Sequence, residues 1–315
     1  MTAIALFRKS VSAAGLALGT GALRYVELEG SPGDLAVSVS SERPIDGMAI
    51  EQEMIADAHS LEAHLLGMRE SLGGRWADPV VIGMPPRDVL LRVVEMPSMD
   101  ASDAREALKW DFDKYFPFPY ADATFDLGPI NTPGEGARES ARYVVAASRL
   151  HVVNSLLDVA RRAGIRVAAV EPSNVALYRC AGGSGRGPAE GSMVVSVGRS
   201  SSQIVVGYGG DGVLYRTLLV GGETLPGPGA PFAPVAREVS STFTYLGSQF
   251  REMRVDEIIL AGDFADRGEL KEAIEAVTAV PVTVSDPWKE WGIVGAPEER
   301  AGWEAALGLA LRSLP

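Results

Sequence analysis

Met193-Val-Val-Ser-Val-Gly-Arg-Ser-Ser-Ser202, continued by Gln203–Tyr208, Gly209-Gly-Asp-Gly212 and Val213–Val220, decides the fold class. Runs rich in β-branched residues, broken by glycine and serine clusters, predict a strand, a polar turn, a strand, a hairpin turn and a third strand. The same plan stands near the N-terminus. Small and apolar residues fill 13–18, Gly19-Thr20-Gly21 punctuates, Ala22–Glu29 alternates, and Leu35–Ser40 follows the turn Ser31-Pro32-Gly33-Asp34. Two copies about 180 residues apart predict a duplicated, two-lobed α/β protein.

Between the copies, Ile55, Ala58, Leu61, Leu65 and Met68 at helical spacing predict a helix within 50–72, ended by Gly73-Gly74. Extended runs follow at Pro79–Gly83 and Val89–Met96. Ala104, Leu108, Phe112 and Tyr115 form one stripe of a helix over 102–116, which Pro117-Phe118-Pro119 stops. Strands are expected at Ala123–Leu127, Arg142–Ala147 and 166–170, helices at 151–163 and 173–180, and a Pro/Gly loop at 132–136. Ala181-Gly-Gly-Ser-Gly-Arg-Gly-Pro-Ala-Glu-Gly-Ser192 has the composition of a flexible linker. It divides the sequence into 1–180 and 193–315. Helices over 235–250 and 303–311 carry ordinary core stripes.

The chain has 315 residues, 46% of them hydrophobic, so a sizeable core is available and a single small module is excluded. Its net charge of −12, with five lysines and no basic block, argues against nucleic acid or an anionic membrane as partner. The single cysteine, Cys180, excludes an intramolecular disulfide and a Cys-rich zinc site, and fits a cytosolic compartment. Arg8-Lys9 before Val11–Ala22 imitates a signal peptide, but Gly15, Gly19 and Gly21 weaken its apolar core and a hairpin is the better reading. His59, His64 and His151 form no metal cluster, and no nucleophile elbow, zinc-protease or Walker A motif is present. What remains is the pair of turns 19–21 and 198–201. Each aims backbone N–H groups and small hydroxyls at one spot, which is how a phosphate is held.

Gly15-Leu-Ala-Leu-Gly-Thr-Gly21 with Tyr25-Val-Glu-Leu28, the 193–202 stretch, Gly221-Gly-Glu-Thr224 and Ile259-Leu-Ala-Gly-Asp263 resemble the phosphate-1, phosphate-2 and adenosine signatures of the actin-like ATPase fold, which is ribonuclease H-like. Glu106-Ala-Leu-Lys-Trp-Asp-Phe-Asp-Lys-Tyr-Phe-Pro-Phe-Pro119 is more specific and resembles the PilM family of type IV pilus assembly. Val145–Ser148, 163–172 and 306–312 match that family too. The resemblance implies an α/β fold of two duplicated lobes, a small α/β insertion at about 86–148, and a nucleotide cleft that would include Gly19, Thr20, Gly21, Gly198, Ser200, Ser201 and Gly262.

The departures bear on ATP and Mg, which the family binds. Family members usually carry Asp where this sequence has Ala17 and Ser196, and those carboxylates hold the metal. Asp263 replaces the second adenosine glycine, where it would repel a phosphate chain. Between Leu225 and Val235 only the proline-rich run 226–234 stands where the family has a subdomain walling the adenine side, so the second lobe is expected to be reduced. Loss of Mg-ATP binding and hydrolysis is therefore expected, with no cofactor.

The resemblance further implies a groove beside the insertion that takes the N-terminal cytoplasmic segment of PilN, an inner-membrane protein, with a pilus motor ATPase as a second candidate partner. Trp110, Tyr115, Phe116 and Phe118 are candidate anchors for such a peptide, or else pack the insertion against its own sheet. Asp111, Asp113 and Lys114 read as a solvated face. The expected function is a non-enzymatic cytoplasmic adaptor, recruited to the inner membrane through its partner, of a pilus or related type II secretion machine. An active actin-like ATPase or kinase-like enzyme, and an FtsA-like polymer, are the alternatives.

Overall fold

The computed structural model describes residues 11–31, 33–133, 140–182, 191–224, 232–250 and 252–312. The first lobe begins with β1 (Val11–Leu18), β2 (Ala22–Ser31) and β3 (Asp34–Pro44), an antiparallel meander. Next come a short hairpin, β4 (Ile50–Glu51) and β5 (Met54–Ile55), the helix α1 (Ala58–Ser71), and β6 (Val80–Met84), parallel to β1. The helix expected within 50–72 thus starts only at Ala58, where the Asp57 carboxylate caps it by accepting from the Ser60 N–H at 2.6 Å. Ile55 belongs to the hairpin, paired with Ile50, because Gln52 and Glu53 reverse the chain with φ of 49° and 60°.

The insertion consists of β7 (Leu90–Pro97), α2 (Ala101–Tyr115), β8 (Ala123–Pro129) and β9 (Ser140–Arg149). Its three strands form a sheet of order β7-β9-β8, and the Ala104, Leu108 and Phe112 stripe of α2 packs on one face. The loop expected at 132–136 falls largely outside the described residues. After α3 (Leu150–Arg162), β10 (Val167–Pro172) returns to the first sheet beside β6, and α4 (Ser173–Ala181) follows.

The second lobe repeats the meander as β11 (Gly191–Val197), β12 (Ser202–Tyr208) and β13 (Asp211–Leu218). Then come α5 (Ala233–Gln249), β14 (Glu257–Ala261), α6 (Gly268–Glu275) and β15 (Val282–Val284). The two sheets run β10-β6-β1-β2-β3 and β15-β14-β11-β12-β13, so they correspond strand for strand. The duplicated plan is present in the pairing itself.

Of the expected linker 181–192, Ala181 ends α4, Gly182 caps it, and Gly191 and Ser192 begin β11; residues 183–190 lie outside the described residues, as do 226–231 of the proline-rich run. The division of the sequence at this point is not the division of the packing. After α7 (Pro287–Glu290), β16 (Ile293–Val294) pairs in parallel with β3, and α8 (Glu304–Leu311) lies against β1 and α4. The approach requires glycine. A Cβ on Gly15 would stand 2.1 Å from the Ala306 carbonyl oxygen, and one on Gly308 would stand 1.9 Å from that of Ala176. The C-terminal helix thereby completes the first lobe, joining Trp303, Leu307 and Leu311 to the core under Val26, Leu28 and Leu35.

Helix α4 lies between the sheets. Ala176 packs toward Val81 and Leu309, while Leu177 and Tyr178 pack on Val194, Val205 and Ile259. Buried on both sides, it fixes how the lobes face each other.

Candidate functional site

The β1–β2 and β11–β12 turns meet at the mouth of the interlobe cleft. Each is closed by the same bond, Gly19 N–H to the Ala22 carbonyl (3.1 Å) and Gly198 N–H to the Ser201 carbonyl (2.9 Å). Gly19, Thr20, Gly21, Gly198, Ser200, Ser201 and Gly262, together with Ala17 and Ser196, all line one cavity of about 100 Å³. Sites for small organic ligands run from about 300 Å³ upward. The cleft has the expected residues around it and little room.

Its space is taken by side chains that local sequence patterns do not reveal. Glu53, buried at the tip of the β4–β5 hairpin, accepts hydrogen bonds from the hydroxyls of Thr20 and Ser201, the latter at 2.6 Å. Left-handed backbone at Gln52 and Glu53 costs about 1–2 kcal/mol per residue, and it is what swings this carboxylate into the cleft. Arg24 on β2 reaches across to Asp263, pairs with Glu42 at 3.0 Å, and donates to the Gly302 carbonyl at 3.0 Å. Asp263 therefore does not present the free negative charge expected of it. The Arg24–Asp263 pair belongs both to the lining of this cavity and to that of an open depression of about 750 Å³ beyond it.

Gly262, at φ +86°, approaches Val197 so closely that a Cβ would stand 2.7 Å from the Val197 carbonyl oxygen. Its N–H donates at 3.2 Å to Glu304 at the start of α8. Burial pushes the Glu304 carboxyl above its ordinary range. The N–H groups of Gly222 and Glu223 are likewise spent on the Gly198 and Arg199 carbonyls, at 2.8 Å each. For a Mg-nucleotide the fit is poor. No carboxylate stands at 17 or 196, Glu53 and Asp263 are engaged by protein groups, and no cluster of three potential metal ligands occurs among the described residues.

A second concavity, of about 630 Å³, lies between the insertion and the first lobe. Five consecutive residues of β8, Thr124–Gly128, and three of β10, Val170–Pro172, line it. Both are outermost strands of their sheets, so both turn a main-chain edge toward the groove. Val144, Ala146 and Ser148 of β9 form its floor, with Met84, Val89, Val153 and Val175 from the first lobe around them. The alternate residues Tyr143, Val145 and Ala147 are buried under α2. An antiparallel sheet with one solvated face alternates apolar and polar residues. On β9 the face away from α2 carries Val144 and Ala146, which pack partly on the second-lobe and first-lobe cores respectively and also line the groove.

Charged groups stand at the groove: Arg105 with Asp126, and Glu171 with Arg179 and Arg312. At its first-lobe end, Asp88 accepts from the Ile55 N–H at 2.8 Å and its carbonyl accepts from the Ser148 hydroxyl at 2.7 Å. Desolvation raises the Asp88 carboxyl to about 6, against the lowering effect of that N–H and of Arg87.

None of the four aromatic residues offered as peptide anchors lines this groove. Phe116 and Phe118 are buried and pack on Phe112, with ring centroids 4.7 and 6.0 Å from it, and Tyr115 is partly buried at the same core. The physical reason is the stop after α2: Pro117 and Pro119 fold the following chain back over the apolar stripe. Trp110 is 90% exposed and lies outside the groove lining. Five residues on from Arg105, it is turned about 140° away round the helix.

The family described as type IV pilus assembly protein PilM matches residues 15–227. Comparison with curated proteins finds no match. A solved structure of a PilM–PilN type IV pilus biogenesis complex superposes with a TM-score of 0.76 at 24% identity, covering 97% of this chain and 99% of that one. The ethanolamine utilization protein EutJ from Carboxydothermus hydrogenoformans gives 0.53 at 12% identity, covering 96% and 89%. The cytoplasmic domain of EpsL, an inner-membrane component of the type II secretion system of Vibrio cholerae, gives 0.51 at 14%, covering 96% of each chain. These likenesses, together with an actin-like ATPase fold protein from Bacteroides thetaiotaomicron (TM-score 0.50), identify the fold as actin-like.

Proposed function

Because the chain belongs to the PilM family of type IV pilus assembly proteins, we propose that it is a non-enzymatic adaptor that captures the N-terminal cytoplasmic segment of a PilN-like membrane protein in the groove between insertion and first lobe. The observation that carries this reading is the groove's construction: an apolar floor between two unpaired strand edges. An extended peptide entering it finds main-chain partners on β8 or β10 for affinity, and Val144, Ala146 and Met84 to select alternate side chains. Likeness to a protein solved as a PilM–PilN complex supports the partner's identity.

The interlobe cleft, by this reading, has lost nucleotide turnover. A cavity of about 100 Å³ whose hydroxyls and carboxylates already satisfy one another offers little to a metal or a phosphate chain, and the Arg24–Asp263 pair is engaged where it adjoins the open depression beyond. Among the described residues no helix is long and apolar enough to cross a membrane, and recruitment to the inner membrane would run through the partner.

Calorimetric titration with a PilN-type N-terminal peptide, beside a thermal melt in millimolar Mg-ATP, tests both halves. The expected result is saturable peptide binding and an unchanged Tm with nucleotide. A ligand at 100 times its Kd stabilises by about 2.7 kcal/mol, so a nucleotide-induced rise of several degrees, or a peptide that does not bind, overturns the reading.

A further inference from the structure

Glu53 is a buried carboxylate whose hydrogen-bond partners are two hydroxyls, and no Lys or Arg pairs with it among the described residues. A single oxygen, Oε1, accepts from Thr20 in the first-lobe turn and from Ser201 in the second-lobe turn. Those turns are equivalent positions of the duplicated fold, each closed by the same glycine hydrogen bond. One anionic oxygen shared by a hydroxyl from each lobe is the arrangement a phosphate oxygen would make there.

We propose that Glu53 is a resident stand-in for a phosphate group: its carboxylate ties the two turns together, so the interlobe closure that a bound polyanion would otherwise bring about is built into the chain. The proposal rests on the reading that these turns are of the phosphate-holding kind and that nucleotide no longer fills them. It adds what does fill them, and it extends to the groove. The hairpin carrying Glu53 is fastened to the entry of the insertion, where the Glu53 carbonyl accepts from the Arg87 N–H at 3.1 Å and the Asp88 carboxylate holds the Ile55 N–H. Asp88 in turn binds Ser148 on the groove floor. Hydrogen-bonded links thus run without a gap from the cleft turns to the peptide groove, and closing one sets the position of the other.

The tie is selectable by mutation without removing the hairpin. Ser201→Ala deletes only the second-lobe bond, and Glu53→Gln keeps an acceptor while removing the charge. A hydrogen bond to a charged group holds a local opening shut by about tenfold or more. Hydrogen exchange in both variants is therefore expected to quicken about tenfold at 18–22 and 198–202, with the rest of both sheets unchanged. Peptide affinity is expected to fall about three- to tenfold. Inorganic tripolyphosphate, which the unaltered protein should not bind, is expected to bind Glu53→Gly, which empties the space the side chain fills at a position whose φ of 60° suits glycine.

Unchanged exchange at both turns in both variants overturns the tie. Quickened exchange with unaltered peptide affinity overturns its transmission to the groove, and failure of tripolyphosphate to bind a folded Glu53→Gly overturns the phosphate-like role. Stabilisation of the unaltered protein by Mg-ATP would instead overturn the reading of the cleft, a result separable from all three.

Discussion

The cleft between the lobes and the groove beside the insertion are built on opposite principles. In the cleft, polar groups from both lobes face one another and are satisfied internally: Glu53 by Thr20 and Ser201, Asp263 by Arg24, Gly262 by Glu304. In the groove, apolar side chains from one lobe and its insertion face a space of about 630 Å³, and two strand edges run along it. A site whose hydrogen bonds are already made gains little from a ligand, since each new bond must replace an old one. A site with unpaired edges and apolar walls gains both main-chain bonds and burial. On an actin-like fold, where the cleft would be the first place to look, the proposed function places binding at the insertion instead.

The sharpest way to break that comparison is to remove the groove's outer wall. Phe112 is buried among Phe116, Phe118, Phe125 and Tyr120, and Phe112→Ala is expected to cost about 3–5 kcal/mol of stability. Because that aromatic core lies within the insertion, denaturation followed by hydrogen exchange should find the loss concentrated at 90–149. Peptide binding should vanish while the second-lobe sheet keeps its protection. Uniform loss across both lobes would mean that the insertion is no separate packing unit.

Filling the groove is the gentler test. Ala146 lies on its floor, and Ala146→Trp places an indole where the peptide would lie. Peptide affinity should fall about 100-fold or more, the scale of a central interface position, with the melting temperature changed by only a few degrees. Titration calorimetry reads the first and a thermal melt the second. Undiminished affinity would move the binding surface elsewhere.

How much of this could be read from sequence depended on whether a feature was local. The two turns and their flanking strands could, because glycine punctuation and β-branched runs act over a few residues, and the turn residues Gly19, Thr20, Gly21, Gly198, Ser200 and Ser201 line one cavity. The return of β16 and α8 to the first lobe could not. The residues of α8 are apolar on all sides, which announces burial but not against what; only its close approach to β1 and α4, through Gly15 and Gly308, decides that. Glu53 was hidden in a stretch that imitates the start of a helix. The aromatic cluster after α2 was visible and open to either assignment, since a side chain that could anchor a peptide could equally build a core.

Asp88 sits at the junction of the two regions, and pH reads its contribution. Its folded-state value of about 6 lies above the unfolded carboxylate value, so the folded state binds the proton more tightly in between. The stabilisation from the protonated group is complete below about pH 4 and is lost as pH rises through about 6. Over that window the slope is at most about 1.4 kcal/mol per pH unit. Asp88→Asn keeps an acceptor for the Ile55 N–H and carries no charge, so chemical denaturation at pH 4.5 and 7 should differ less for the variant than for the parent. Equal pH dependence in the two would show that Asp88 titrates normally.

Trp110 gives the smallest expected effect and the most direct contrast with Phe112, two residues away on the same helix. At 90% exposure it has almost no contact to lose, and it stands outside the groove lining. Surface substitutions of this kind fall within about 0.5 kcal/mol. Trp110→Ala should therefore leave both the denaturation midpoint and the peptide affinity within about twofold of the parent. A drop in affinity of tenfold at unchanged stability would be informative in the other direction. It would mean that the peptide, after leaving the groove, continues over the outer face of α2, where an exposed indole beside Lys109 and Lys114 would then be part of the recognition surface rather than outside it.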